Sequence, residues 1–219
     1  MAYQATPRTE RHHRENRDRI VDKALSLISL GGCQSVQMPK LAEMAGMAVG
    51  TLYRYFPSKE VLFDEVFRRA SQVEIDHCMA AAGNSSYGPL DRLVRVIEVF
   101  VYRALRGPWR AYALLIEPIA LPVQTARLDF RRQYDRLFVS LLDEAIAQQE
   151  IPVQDTGMAA QCLVGSISEV VGRMVAGYEM PAEPDKFLDQ LMRCCLRTVG
   201  VGDADSARLV AGMDSNRYG

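Results

Sequence analysis

Long apolar runs are missing from this 219-residue chain. Its most apolar stretch, YALLIEPIALPV, is broken by Glu117, Pro118 and Pro122 and falls well short of the roughly 20 apolar residues that a membrane span needs. The opening MAYQATPRTERHHRENRDR has no apolar signal core, so secretion is not expected and a cytoplasmic protein is. Histidine is scarce: His12, His13 and His77 are the full set, which leaves the C-terminal half without a base for Ser-His-Asp chemistry. The five cysteines (Cys33, Cys78, Cys162, Cys194, Cys195) are odd in number and scattered, with no C-x-x-C pair, which suits a reducing compartment and speaks against structural zinc. No Gly-rich phosphate loop precedes a helix. From these absences no catalytic residue, no metal and no cofactor is expected. Alternating strand patterns, internal repeats and low-complexity segments are lacking too.

What the chain does have is helical periodicity. From Arg14 to Leu30 apolar residues fall at Ile20, Val21, Ala24, Leu25, Leu27 and Ile28, a stripe at helical spacing that Gly31-Gly32 ends. Pro39 opens a second helix with Leu41, Ala42 and Ala45 inward, and Gly46 closes it. A third runs from about Val49 to Phe56, where Pro57 forbids continuation. Ser58 caps a longer helix with Val61, Leu62, Val66, Phe67, Ala70 and Val73 inward. Beyond the loop GNSSYGP, helices are expected over Leu90–Arg106, Trp109–Glu117, Thr125–Gln149, Thr156–Tyr178 and Asp185–Val199. The fold class is all-α, with about nine helices.

Charge is unevenly placed. Residues 1–70 hold 11 Lys/Arg against 8 Asp/Glu, and the remainder is acidic in balance. Six of those basic residues, from Arg8 to Lys23, lie near the N-terminus, as a polyanion-binding end or a plain solvated arm would have them.

The short third helix is the most informative element, because two turns are barely stable without packing on one face. Val49, Leu52 and Phe56 share a face by spacing, leaving Gly50, Thr51, Arg54 and Tyr55 outside and Tyr53 on the flank. Two short helices joined by a glycine turn and braced by a longer one make a helix-turn-helix, whose second helix enters the major groove. Thr51 suits a base or phosphate contact; Tyr53, Tyr55 and Lys59 suit phosphates.

The stretch LAEMAGMAVGTLYRYFPSKEVLF closely resembles the DNA-binding signature of the TetR/AcrR family of bacterial transcriptional regulators, specifically from about Arg14 to Val73. That resemblance implies Val49, Gly50, Thr51, Tyr53, Arg54 and Tyr55 facing DNA, with Lys59 on phosphate. Gln37 and Ala48 depart from the family's usual Thr and Ser at the two helix starts, and both cap poorly, Ala by about 1 kcal/mol relative to Ser. The implied organisation is a flexible basic arm (1–13), a helix-turn-helix domain (14–57), a connecting helix (58–82), a ligand-binding and dimerisation domain (83–200) and a flexible tail (201–219). The implied partners are a palindromic operator in double-stranded DNA, a small and mostly apolar effector, and a second copy of the chain; no membrane is involved. The last two long helices would form the dimer bundle, with small residues Ala159, Ala160, Gly165, Ser166, Gly172 and Ala176 and the apolar face Leu188, Leu191, Met192 and Cys195. Candidate pocket residues are Trp109, Tyr112, Phe130 and Tyr134 for the wall and Glu117, Arg131 or Arg173 for a polar anchor, all of which could equally be ordinary core or helix-surface positions. A ligand-released repressor is the expected function. An activator, a protein-controlled regulator, or a helical enzyme or carrier that kept the three-helix unit are the alternatives.

Overall fold

The computed structural model describes residues 7–118, 121–177 and 181–212. Among them are ten α-helices and no strand, so the all-α expectation stands. In order these are α1 (Pro7–Gly31), α2 (Met38–Met44), α3 (Val49–Tyr55), α4 (Lys59–Ala82), α5 (Pro89–Arg106), α6 (Pro108–Leu115), α7 (Leu121–Ala147), α8 (Thr156–Ala176), α9 (Pro184–Thr198) and α10 (Asp203–Ala211), with one 3-10 turn at Cys33–Ser35. Prolines open α2, α5, α6 and α9 within their first two positions, where a missing N–H costs nothing.

Helix extends into both the expected arm and the expected tail. Helix α1 begins at Pro7, so the described part of the supposed arm is helical, and α10 occupies much of the supposed tail. Leu209 and Ser206 of α10 are buried, which is the packing that a short polar helix needs to persist. The expected end of the eighth helix at Tyr178 lies outside the described residues.

Two apolar cores form. The first joins α1, α2 and α3 around Ile20, Val21, Leu27, Leu41, Leu52 and Phe56 and includes the start of α4 through Leu62, Phe63, Val66 and Phe67. It also takes in Ala113 of α6 and Val123, Ala126 and Phe130 of α7, so the N-terminal head is fused to the body and not merely tethered to it. The second core fills the body between α5, α7, α8 and α9. Helix α4 presents Leu62, Val66, Phe67 and Ala70 inward as expected, but Val61 and Val73 are 44% and 46% exposed. Its true inward stripe continues through Ile75, in the first core, and Cys78, whose thiol faces the Val96 carbonyl of α5 at 3.9 Å.

Candidate nucleic-acid interface and ligand cavity

Leu52 and Phe56 anchor α3, both with no exposed surface, while Gly46 at φ +67° makes the turn from α2. Val49, placed on the inward face by spacing, is in fact 37% exposed and joins the outer one. Tyr53 (44%), Arg54 and Gly50 are open as well, and Thr51 is half-buried. A Cβ on Gly50 would meet nothing within 4 Å, so packing within the protomer does not demand a glycine there.

Tyr55 is only half outside. Its hydroxyl accepts a 2.9 Å hydrogen bond from Asn16 Nδ2, and its ring lies 4.7 Å from that of His13. Its carbonyl accepts from Arg17 at 2.9 Å, while the same guanidinium covers the Phe56 ring at 4.3 Å and pairs with Glu65 of α4. Arg17 therefore fixes α3 against α1 and α4 at once. Sequence reading missed Asn16 and Arg17 in this role; the available signal was their position one turn before the buried Ile20. Lys59 stands in the first turn of α4 with Nζ 5.1 Å from the Phe63 ring centre, and Ser58 caps that helix by accepting from Val61 N at 3.3 Å. Gln37 and Ala48 make no side-chain cap hydrogen bond.

Behind the head lies a cavity of about 90 Å³ between α4, α5, α6, α7 and α8. Its wall is mostly apolar, with Phe67, Ile97, Phe100, Leu114, Phe130, Tyr134, Phe138 and Ile167, and it carries Ser71, Glu74, Arg103, Arg110, Arg127 and Arg131 as polar groups. Of the expected pocket residues, Phe130, Arg131 and Tyr134 are brought together here. Phe100 meets Tyr134 edge to face at 5.7 Å, and burial pushes the Tyr134 hydroxyl's pKa up.

Trp109, Tyr112, Glu117 and Arg173 are not on this wall. Trp109 and Tyr112 pack edge to face with each other at 6.4 Å. Arg173 pairs with Glu169 one turn away on the outer face of α8, with 82% of its side chain exposed. Glu117, 3% exposed, accepts from Cys33 N with both oxygens, at 3.1 and 3.0 Å. Gly32 permits that contact: its φ is +68°, and a Cβ there would sit 3.2 Å from the carboxylate. Burial first, and the Glu117 charge second, push the Cys33 thiol up to about 12.

The end of α6 is therefore held to the end of α1. Arg127 holds it from the other side, donating to the carbonyls of Leu114 (2.9 Å), Ala113 (3.1 Å) and Glu117 (3.0 Å). Burial lowers the Arg127 pKa, with the neighbouring Arg131 charge as the next cause. On α8, a Cβ at Gly172 would lie 2.7 Å from Ile116, so this glycine lets α6 approach. Gly172, Ala159 and Ala160 are consequently spent inside the protomer, as are Leu188, Leu191, Met192 and Cys195 of α9. What α8 leaves exposed is a stripe of Met158, Gln161, Cys162, Gly165, Ser166, Glu169, Val170 and Arg173. Among the described residues no helix is long and apolar enough to cross a membrane. Nor do three or more of their His, Cys, Asp or Glu cluster where a metal could be held.

A helix-turn-helix head fused to a helical body with its own cavity defines a DNA-binding transcriptional regulator. The sequence pattern of bacterial regulatory proteins, tetR family, matches residues 20–66. Over 200 residues the chain is 32% identical to the HTH-type transcriptional repressor KstR of Mycobacterium tuberculosis, covering 89% of this chain and 84% of that one. The chain belongs to the tetR family of bacterial regulatory proteins. The KstR of Mycolicibacterium smegmatis is 45% identical over 83 residues, 37% of this chain, and only 41% of that relative's length is spanned. In fold, the chain matches FadR of Bacillus subtilis, solved in complex with stearoyl-CoA, with a TM-score of 0.66 at 24% identity, over 80% of this chain and 96% of that one.

Proposed function

We propose that this chain is a homodimeric repressor, acting in the bacterial cytoplasm, which leaves a palindromic operator when a mostly apolar small molecule enters the cavity. Its role is regulatory and not catalytic. The observation that carries the reading is that Phe67 and Phe130 belong to two structures at once. They sit in the core of the head and in the wall of the cavity, 6.2 Å apart edge to face. A cavity of about 90 Å³ is smaller than the roughly 300–1,000 Å³ of a typical ligand site. An effector must therefore part the walls, and α4 contributes Phe67, Ser71 and Glu74 to them. Binding then favours a state with α4 displaced, and linkage makes the effect reciprocal with operator binding. Repression as the direction of control, and the apolar effector, are supported by the relatives: two named repressors and one solved with stearoyl-CoA.

The head is taken as residues 14–57, the connecting helix as 58–82 and the body as 83–200. DNA contact is assigned to Val49, Gly50, Thr51, Tyr53, Arg54 and Lys59, with Tyr55 at the margin because its hydroxyl is already engaged. The ligand wall is assigned to Phe130, Arg131 and Tyr134 together with Phe67 and Phe100. Dimerisation is assigned to the exposed stripe of α8 with the outer face of α9, where Arg173 belongs. The test is a salt series on DNA from the intergenic region upstream of the chain's own coding sequence. Binding should fall steeply with salt, Lys59→Ala should weaken all sequences alike, and Thr51→Ala should also relax base preference. Binding by the wild type that ignores sequence would remove the reading.

A further inference from the structure

We infer that the cavity's ligand carries an anionic group, and that this group seats on Arg110 by taking it from Glu74. This rests on the cavity being the effector site. Glu74 projects from α4 into the cavity wall with only 17% of its side chain exposed. Arg103, near the end of α5, holds it with two nitrogens, Nε and Nη2, the latter at 3.1 Å. Arg110 of α6 reaches the same carboxylate only at 3.5 Å from Nε, longer than a good hydrogen bond. Two guanidiniums thus share one carboxylate, and the second of them is weakly engaged.

The other two arginines of the wall do not offer this. Arg127 spends its nitrogens on the carbonyls that hold α6 and on Gln124. Arg131 is exposed to solvent at the edge of the wall. A neutral apolar ligand filling the cavity would strip water from Arg110 and leave it only its long contact to Glu74, which is costly for a charge. An amphiphile with a carboxylate or phosphate head restores the balance, two carboxylate-type groups for two guanidiniums, and Arg binds either head well.

The exchange has a mechanical consequence. Glu74 keeps Arg103, so α4 stays tied to α5, but its ionic tie to α6 is lost. Helix α6 is the element that Glu117 fastens to Cys33 in the head. The anion therefore weakens the link between α4 and α6, the helix whose end is clamped to the turn after α1.

The test uses the full-length dimer and four ten-carbon probes below their micelle concentrations: decanoate, decanoyl-CoA, decanol and decylamine, titrated by calorimetry. Decanoate or decanoyl-CoA should bind about tenfold or more tighter than decanol, and decylamine weakest, as charge-assisted hydrogen bonds imply. The first two probes separate a carboxylate head from a phosphate-bearing one. Arg110→Gln should bring the ratio of decanoate to decanol affinity toward one, and Arg110→Lys should restore part of the preference. Glu74→Gln should act in the opposite sense and tighten the anionic probe, a change that generic damage to the wall would not produce. Equal binding of decanol and decanoate, or an unchanged ratio in both variants, overturns the inference while the cavity reading stands. If no probe binds, the cavity reading falls and the inference with it.

Discussion

Tyr53 and Tyr55 are two residues apart on one short helix and do different jobs. The Tyr53 ring is open and has no structural duty in the head, whereas the Tyr55 hydroxyl completes the amide of Asn16, which is 7% exposed. Tyr55→Phe should therefore lower stability by about 1 kcal/mol, read as a shifted urea midpoint at constant slope. Tyr53→Ala should change stability by no more than about 0.5 kcal/mol yet weaken operator binding. Equal effects of the two on stability would show that the division of labour is misplaced. Sequence periodicity put Tyr55 outside and Tyr53 only on the flank, because an i, i+3 rule knows nothing of α1 crossing the far end of α3. No ranking of the cysteines is legible in the sequence. Burial holds the Cys33, Cys78 and Cys195 thiols protonated with pKa values of about 12, while Cys162 and Cys194 are exposed. A thiol reagent at pH 8 should leave the first three unmodified until the protein is denatured.

At the scale of elements, the segment that ends α6 is a clamp between three neighbours. Gly172 of α8 supports it, Arg127 of α7 ties its carbonyls, and Glu117 grips the turn after α1. Replacing Gly172 with Val should cost about 1–3 kcal/mol by overpacking against Ile116. Glu117→Gln keeps the shape but gives up the charge on the Cys33 amide. Hydrogen exchange at Cys33 should quicken, and the factor by which effector weakens operator binding should change. A lower melting temperature with that factor intact would reduce Glu117 to a purely structural part. The sequence marked Glu117 as unusual, a carboxylate between two prolines in an apolar run, but spacing could not say which distant amide it meets. The helices themselves were legible because their stripes are local. Of the cavity arginines, Arg131 was expected from the sequence; Arg103 lies on the Val96–Phe100 stripe of α5 and Arg127 on the Val123–Phe130 stripe of α7, where a charge breaks the apolar pattern.

For the whole molecule, two heads need two subunits, and the exposed stripe of α8 is where the second copy is expected. Val170→Asp should yield a folded monomer in sedimentation at micromolar concentration, and operator affinity should collapse with it. Leu191→Asp is the wrong probe, because Leu191 is 5% exposed within one protomer and its loss would unfold the body. The account stands or falls on the link between the cavity and the operator, and that link can be tested without knowing the effector. Ala104 lines the cavity and is 7% exposed, so Ala104→Phe puts a ring where the ligand would part the walls. The decisive measurement is the operator dissociation constant of this variant, taken beside the wild type at one salt concentration and after both have been verified as folded dimers. The account predicts weakening of about tenfold or more with no ligand present, since an overpacked core shifts by about 1–3 kcal/mol. A folded, dimeric Ala104→Phe that holds the operator as tightly as the wild type would contradict it.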